Sequence, residues 1–175
     1  MGKFFFIILS QFLLIFLQLG LGNLGWPLPL ALLGALYVTL ALGLNWGCTA
    51  ALLSGSLLCA LYGGGFYALL VVLHPLLAAG LNWWIERHDE DIRPDFFLPG
   101  VWAGLIGALP STLSIVYYGV TYHTLPLDLP FFLLRVLWSA AVSGGIFMGM
   151  IFLGEACTEF LGLPRFFTRK GGHKR

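Results

Sequence analysis

Charge is what this sequence has least of. Asp, Glu, Lys and Arg together make up 10% of its 175 residues, where a soluble domain carries roughly 25%. A chain so poor in charge cannot clothe a core with polar surface, which excludes a soluble globular enzyme. The net charge of +1 supplies no field to attract nucleic acid or another polyanion. Cysteine is scarce as well. Cys48, Cys59 and Cys157 have no C-x-x-C spacing, and each falls inside or at the end of an apolar run. An odd count in that setting argues against a disulfide framework or a zinc site. They read as small packing residues. Catalytic motifs are missing too: no D-x-x-D-G phosphotransferase pattern, no H-E-x-x-H, no G-x-S-x-G, no P-loop and no pair of intramembrane aspartates. The expectation is a non-enzyme without a cofactor or a bound metal.

What the chain does have is hydrophobic runs. Apolar residues make up 59% of it and the mean hydropathy is +0.91, which places it among polytopic membrane proteins rather than disordered chains. The runs are too long and unbroken for barrel strands of about ten alternating residues. At about 17–25 residues per span, the sequence predicts an all-α protein with six transmembrane helices. They cover 4–21, 28–44, 46–62, 66–85, 96–118 and 131–154, in one domain ending in a basic tail, 155–175. The second and third segments meet at Gly43, Leu44 and Asn45, which implies a tight hairpin. Gly63, Gly64 and Gly65 punctuate the third and fourth. Gln11 and Gln18 interrupt the first run and no A-x-A site follows it, so it reads as a retained span and not a cleaved signal peptide.

The basic residues orient these spans. Lys3 precedes the first, Arg87 and Arg93 lie between the fourth and fifth, and Arg165, Arg169, Lys170, Lys174 and Arg175 follow the sixth. With six spans, eight of the nine Lys and Arg residues share one side, and only Arg135 does not. By the positive-inside rule both termini and the 86–95 loop are cytoplasmic. The loop reads as a solvated connector. The tail reads as a segment able to sit on anionic lipid, at about 1 kcal/mol per charge.

Polar residues within spans are few, and each is a functional candidate. His74 stands mid-span before Pro75, with Asn82 eight residues on, close to the same face. The pair reads either as a polar pocket or as ordinary helix-to-helix hydrogen bonding. Gln11 and Gln18, seven apart, can bond an adjacent helix. Glu155 and Glu159 read as solvated charges at a helix end. Arg135 opens the sixth span, where it either snorkels to headgroups or meets a partner or Asp128. Measured from Arg135 at about 100° per residue, Ser139 falls near 40°, Gly149 near 320° and Gly145 near 280°. One face therefore carries Arg135, Trp138, Ser139, Val142, Gly145 and Gly149. Ala141, Gly145 and Gly149 form a small-xxx-small ladder, which lets another helix approach closely.

The layout resembles the rod-shape-determining MreD family of small bacterial inner-membrane proteins. The resemblance rests on Leu17-Gln18 ending the first helix, the 27–37 stretch, the short hairpin, Gly47 opening a small-residue helix, and Phe131-Phe132-Leu133-Leu134-Arg135 opening the last. One departure stands out: where relatives often carry an aspartate in helix three, this chain has Gly55. The resemblance implies a non-enzymatic subunit of the cell-elongation machinery, which makes peptidoglycan and sets cell shape. The partners it implies are an MreC-like bitopic scaffold protein, the RodA–transpeptidase synthase and actin-like filaments. It also implies a six-helix fold similar to the substrate-binding S components of energy-coupling-factor vitamin transporters. The rival expectation is such an S subunit itself, with a pocket lined by His74, Asn82, Asn45 and Trp83.

Overall fold

The computed structural model describes residues 2–24, 26, 28–87, 97–122 and 129–163, so Arg93, Asp128 and the basic residues from 165 onward lie outside the described residues. The described residues are all-helical: α1 (Gly2–Asn23), α2 (Leu30–Leu42), α3 (Leu44–Tyr62), α4 (Phe66–Arg87), α5 (Phe97–Thr121) and α6 (Leu129–Phe160). Five of them are long and apolar enough to cross a membrane. Their outward faces carry Phe16 at 79% exposure, Leu137 at 66% and Leu153 at 70%, which only a lipid environment tolerates on this scale.

The second expected span is the exception. It runs for 13 residues, or about 20 Å of rise against about 30 Å of hydrocarbon. Its sequence, LALLGALYVTLAL, is apolar on every side, which marks a helix packed all round rather than one lying against lipid. Every residue from Leu30 to Ala41 is buried. The other helices wrap α2, and the main core gathers Leu32, Leu36 and Leu40 with Ile7, Ala50, Leu81 and Phe147.

A short central helix starts inside the bundle, where water cannot satisfy its first N–H groups. Pro29 just before it has no N–H to leave unpaired. Gln18 of α1 accepts the Ala31 N–H through Oε1 at 3.0 Å. Gln11, fully buried, turns its amide to the same turn: its Nε2 donates to the Ala31 carbonyl at 3.1 Å and its Oε1 accepts from Ala35 N–H at 3.2 Å. The two glutamines on one face of α1 therefore anchor the buried start of α2.

Glycine sets how closely the helices approach. A Cβ on Gly55 would stand 2.7 Å from the Leu70 carbonyl oxygen and 2.8 Å from Val71 Cα, so α3 and α4 cross backbone to backbone. On α5 and α6, Gly104 meets the Ala140 carbonyl and Gly144 likewise faces the Gly100 carbonyl at 3.0 Å. Gly43 joins α2 to α3 at φ 96°, a left-handed conformation that a side chain would strain.

The contacts define two ends. Gly2 reaches Leu163, Tyr37 meets Glu155 near the end of α6, and Gly43 shares a pocket with Glu86 near the end of α4. Lys3 and Arg87 thus sit at one end, called proximal here, with the end of α6. Trp84 and Trp102 meet there at 5.1 Å, and Arg87 lies 4.7 Å over the Trp83 ring. At the distal end the glycine turn 63–65 is ringed by tyrosines. Tyr62 stacks on Tyr67 at 4.5 Å, Tyr118 on Tyr122 at 6.2 Å, and Tyr117 packs on Phe66 at 5.8 Å. Aromatic girdles at both ends suit two membrane–water interfaces.

Candidate functional site

The sixth helix has two small-residue ladders, offset by one position. Ala140 and Gly144 face α5, where Gly100 and Gly104 receive them. Ala141, Gly145 and Gly149 face away from the chain: all three are exposed, and a Cβ on Gly145 or Gly149 meets nothing within 4 Å. Trp138, 71% exposed, and Arg135 lie on the same open side, toward the distal end. Ser139 does not. It is half-buried, and its Oγ lies 3.0 Å from Ser111 Oγ on α5. The open arc therefore keeps Arg135, Trp138, Gly145 and Gly149, while Ser139 belongs to the contact with α5. Beside the arc, between α5 and α6, runs a groove of about 230 Å³ lined by Gly100, Val101, Ala141, Gly145 and Met148. Its lining has no charged group, so it offers packing and no chemistry.

The intramembrane polar residues separate into two places. His74 is buried at 2% exposure, with Nδ1 2.8 Å from Ser54 Oγ on α3. Ser54 also donates to the Ala51 carbonyl at 2.9 Å. With that proton on Ala51, the hydroxyl accepts from His74 Nδ1–H. The pair ties α3 to α4 one turn beyond the Gly55 crossing, where Pro75 withholds a hydrogen bond from the Val71 carbonyl. Both partners are sealed from solvent, so this is a structural contact.

Asn82 instead lines a polar pocket of about 300 Å³ at the proximal end, with Gly43, Leu44, Asn45, Trp46 and Glu86. Its Nδ2 donates to Glu86 Oε1 at 2.8 Å. The pocket unites Asn82 with Asn45 as expected of a polar site, but His74 is not among its lining residues. Trp83 is 56% exposed and stacks under Arg87 instead. Glu86 is the lining residue that sequence reading assigned to the solvated loop. Its spacing of four from Asn82 on one helix face was the available signal.

Near the end of α6, Tyr37 donates to Glu155 Oε1 at 3.4 Å, and its ring lies across Gly154. Thr158 closes the arrangement by donating to the Gly154 carbonyl at 2.8 Å. Glu155 and Glu159 are thus at the proximal end, and among the described residues no three His, Cys, Asp or Glu side chains gather to hold a metal. The comparisons with known proteins return nothing: no protein-family model, no curated protein and no solved structure matches this chain.

Proposed function

We propose that this chain is a non-enzymatic, multi-pass subunit of the bacterial cell-elongation machinery, resembling MreD, that works by packing its helices against partner membrane proteins. The observation that supports this reading is the bare Ala141, Gly145 and Gly149 ladder on α6. In lipid, helices associate through close backbone approach and dispersion rather than hydrophobic drive. A smooth ladder left open, beside one already used by α5, is a surface suited to a further helix. In this reading the occupant is the single span of an MreC-like scaffold protein, and the complex biases the RodA–transpeptidase synthase. The membrane is the bacterial inner membrane, with the proximal end, which carries Lys3 and Arg87, in the cytoplasm.

The test is affinity purification from native membranes in mild detergent, with protein and small-molecule mass spectrometry, on the wild type and on Gly145→Leu combined with Gly149→Leu. Because open space faces both glycines, the double variant should express and stay monodisperse. Loss of a co-purifying bitopic protein or peptidoglycan synthase is the expected result. Unchanged co-purification overturns the assignment of α6. Recovery of ATP-binding-cassette subunits or a bound vitamin overturns the function itself and favours an S subunit.

A further inference from the structure

The outward face of α3 brings hydroxyls to lipid. At about 100° per residue, Thr49, Leu52, Ser56 and Ala60 fall within about 80° of one another, and all four are exposed. Ala50, Ser54 and Leu58, on the opposite side, are buried. The outward faces of α1, α4 and α5 carry instead Phe16, Leu76 and Leu105. α3 has 19 residues. That is about 28 Å of rise, and Ser56 lies about 5 Å from its midpoint, deep in the hydrocarbon. Two neighbouring hydroxyls are satisfied within the helix: Thr49 donates to the Asn45 carbonyl at 2.8 Å and Ser54 to the Ala51 carbonyl at 2.9 Å. Ser56 has no hydrogen-bond partner among the described residues. Hydrocarbon supplies none, so this hydroxyl is as deprived as one in a dry core.

Symmetry decides what suits this face. Two copies of one chain inserted the same way are related by a two-fold axis along the membrane normal. A helix at that axis meets its own copy in parallel, and each residue faces itself at the same depth. Only groups that tolerate their own kind fit such a contact. A hydroxyl does, because it both donates and accepts. Thr49, Ser56 and Ala60 are also small enough for close backbone approach. α3 has no charged residue to meet its like. The open arc of α6 differs on this point, since a parallel copy would bring Arg135 toward Arg135, and like charges repel. We infer that α3 pairs with the α3 of a second copy of this chain, with Ser56 hydrogen-bonded to its counterpart near mid-bilayer. The inference does not depend on the role given to α6.

The test begins with disulfide crosslinking in native membranes, in a background with Cys48, Cys59 and Cys157 replaced by alanine. Single cysteines at Thr49, Leu52, Ser56 and Ala60 should give an adduct of twice the chain mass under mild oxidation. Cysteines at Leu57, half-buried on the flank of α3, and at Leu69, on the outward face of α4, should not. Association is then measured by energy transfer between full-length copies carrying dyes at a Gly64 cysteine. The copies are held in phosphatidylethanolamine–phosphatidylglycerol vesicles at increasing lipid dilution. Ser56→Ala should weaken association about three- to tenfold, the worth of one or two interhelical hydrogen bonds in a membrane. Ser56→Leu should abolish it. Both variants should unfold at the wild-type midpoint, because Ser56 faces away from its own chain. Adducts with a different protein in place of the doubled chain overturn the inference. So do adducts at Leu69 as abundant as those at Ser56, association unchanged in both variants, or a lowered midpoint in Ser56→Ala.

Discussion

Gln18 reaches from one helix to the start of another, and that contact can be tested by removing its oxygen. Gln18→Leu keeps the side chain's bulk and leaves the Ala31 N–H unpaired in a place that water does not reach. The expected loss is about 1–3 kcal/mol, measured as a lowered midpoint of thermal unfolding in detergent. Gly154 makes a different demand. Any Cβ there would run into the Tyr37 ring, a rigid group with no room to turn aside. Gly154→Ala should therefore cost about 1–3 kcal/mol through overpacking. Tyr37→Phe should cost far less, since it gives up only hydroxyl contacts of 3.4 Å and keeps the ring in place. At Gly55 the obstacle is backbone: Leu70 and Val71 of α4 fill the space a side chain would need. An aspartate at this point would have no room in this chain.

Adjacent glycines on α6 separate folding from association. Gly144→Leu drives a side chain into the Gly100 carbonyl, so it should split the pairing of α5 with α6 and lower the unfolding midpoint. Gly145→Leu points into open space and should leave the midpoint where it is, with any effect confined to partner binding. Equal destabilisation by the two substitutions would remove the distinction between an inner and an outer ladder. The sequence shows that α6 is rich in small residues, but it does not rank the two ladders. Interior and lipid are equally apolar, so helical periodicity carries no inside–outside contrast. The same physics hides the true length of α2. Leu28 and Leu44 are as apolar as the helix they flank, and only packing shows that 13 residues are helical. The glutamines were legible because polar groups in an apolar run must find a partner. His74 and Asn82, about 80° apart on α4, were legible as exceptions but not as a pair, since their neighbours on α3 and at the hairpin decide where each one goes.

The molecule as a whole is a bundle whose central helix is too short to span by itself. α2 ends at Gly43 at the proximal end and rises about 20 Å, about two-thirds of the bilayer core, so its start at Leu30 lies short of the distal end. Leu24 and Trp26 are 75% and 64% exposed. Although α2 is short, it still reverses the chain's direction, so α3 starts at the same end as α1. From this follows a topology that can be measured. Single cysteines at Lys3 and Arg87 should react with an impermeant maleimide from one side of sealed vesicles, in a background with Cys48, Cys59 and Cys157 replaced by alanine. Cysteines at Gly64 and Tyr122 should react only from the other side. Gly64 has nothing within 4 Å and Tyr122 is 66% exposed, so neither site is shielded by the protein. Reaction of Lys3 and Arg87 from opposite sides would mean that α2 does not return the chain, and five crossings would then replace six. The orientation proposed above predicts that right-side-out vesicles expose the Gly64 and Tyr122 sites, because lysine and arginine cross a membrane poorly.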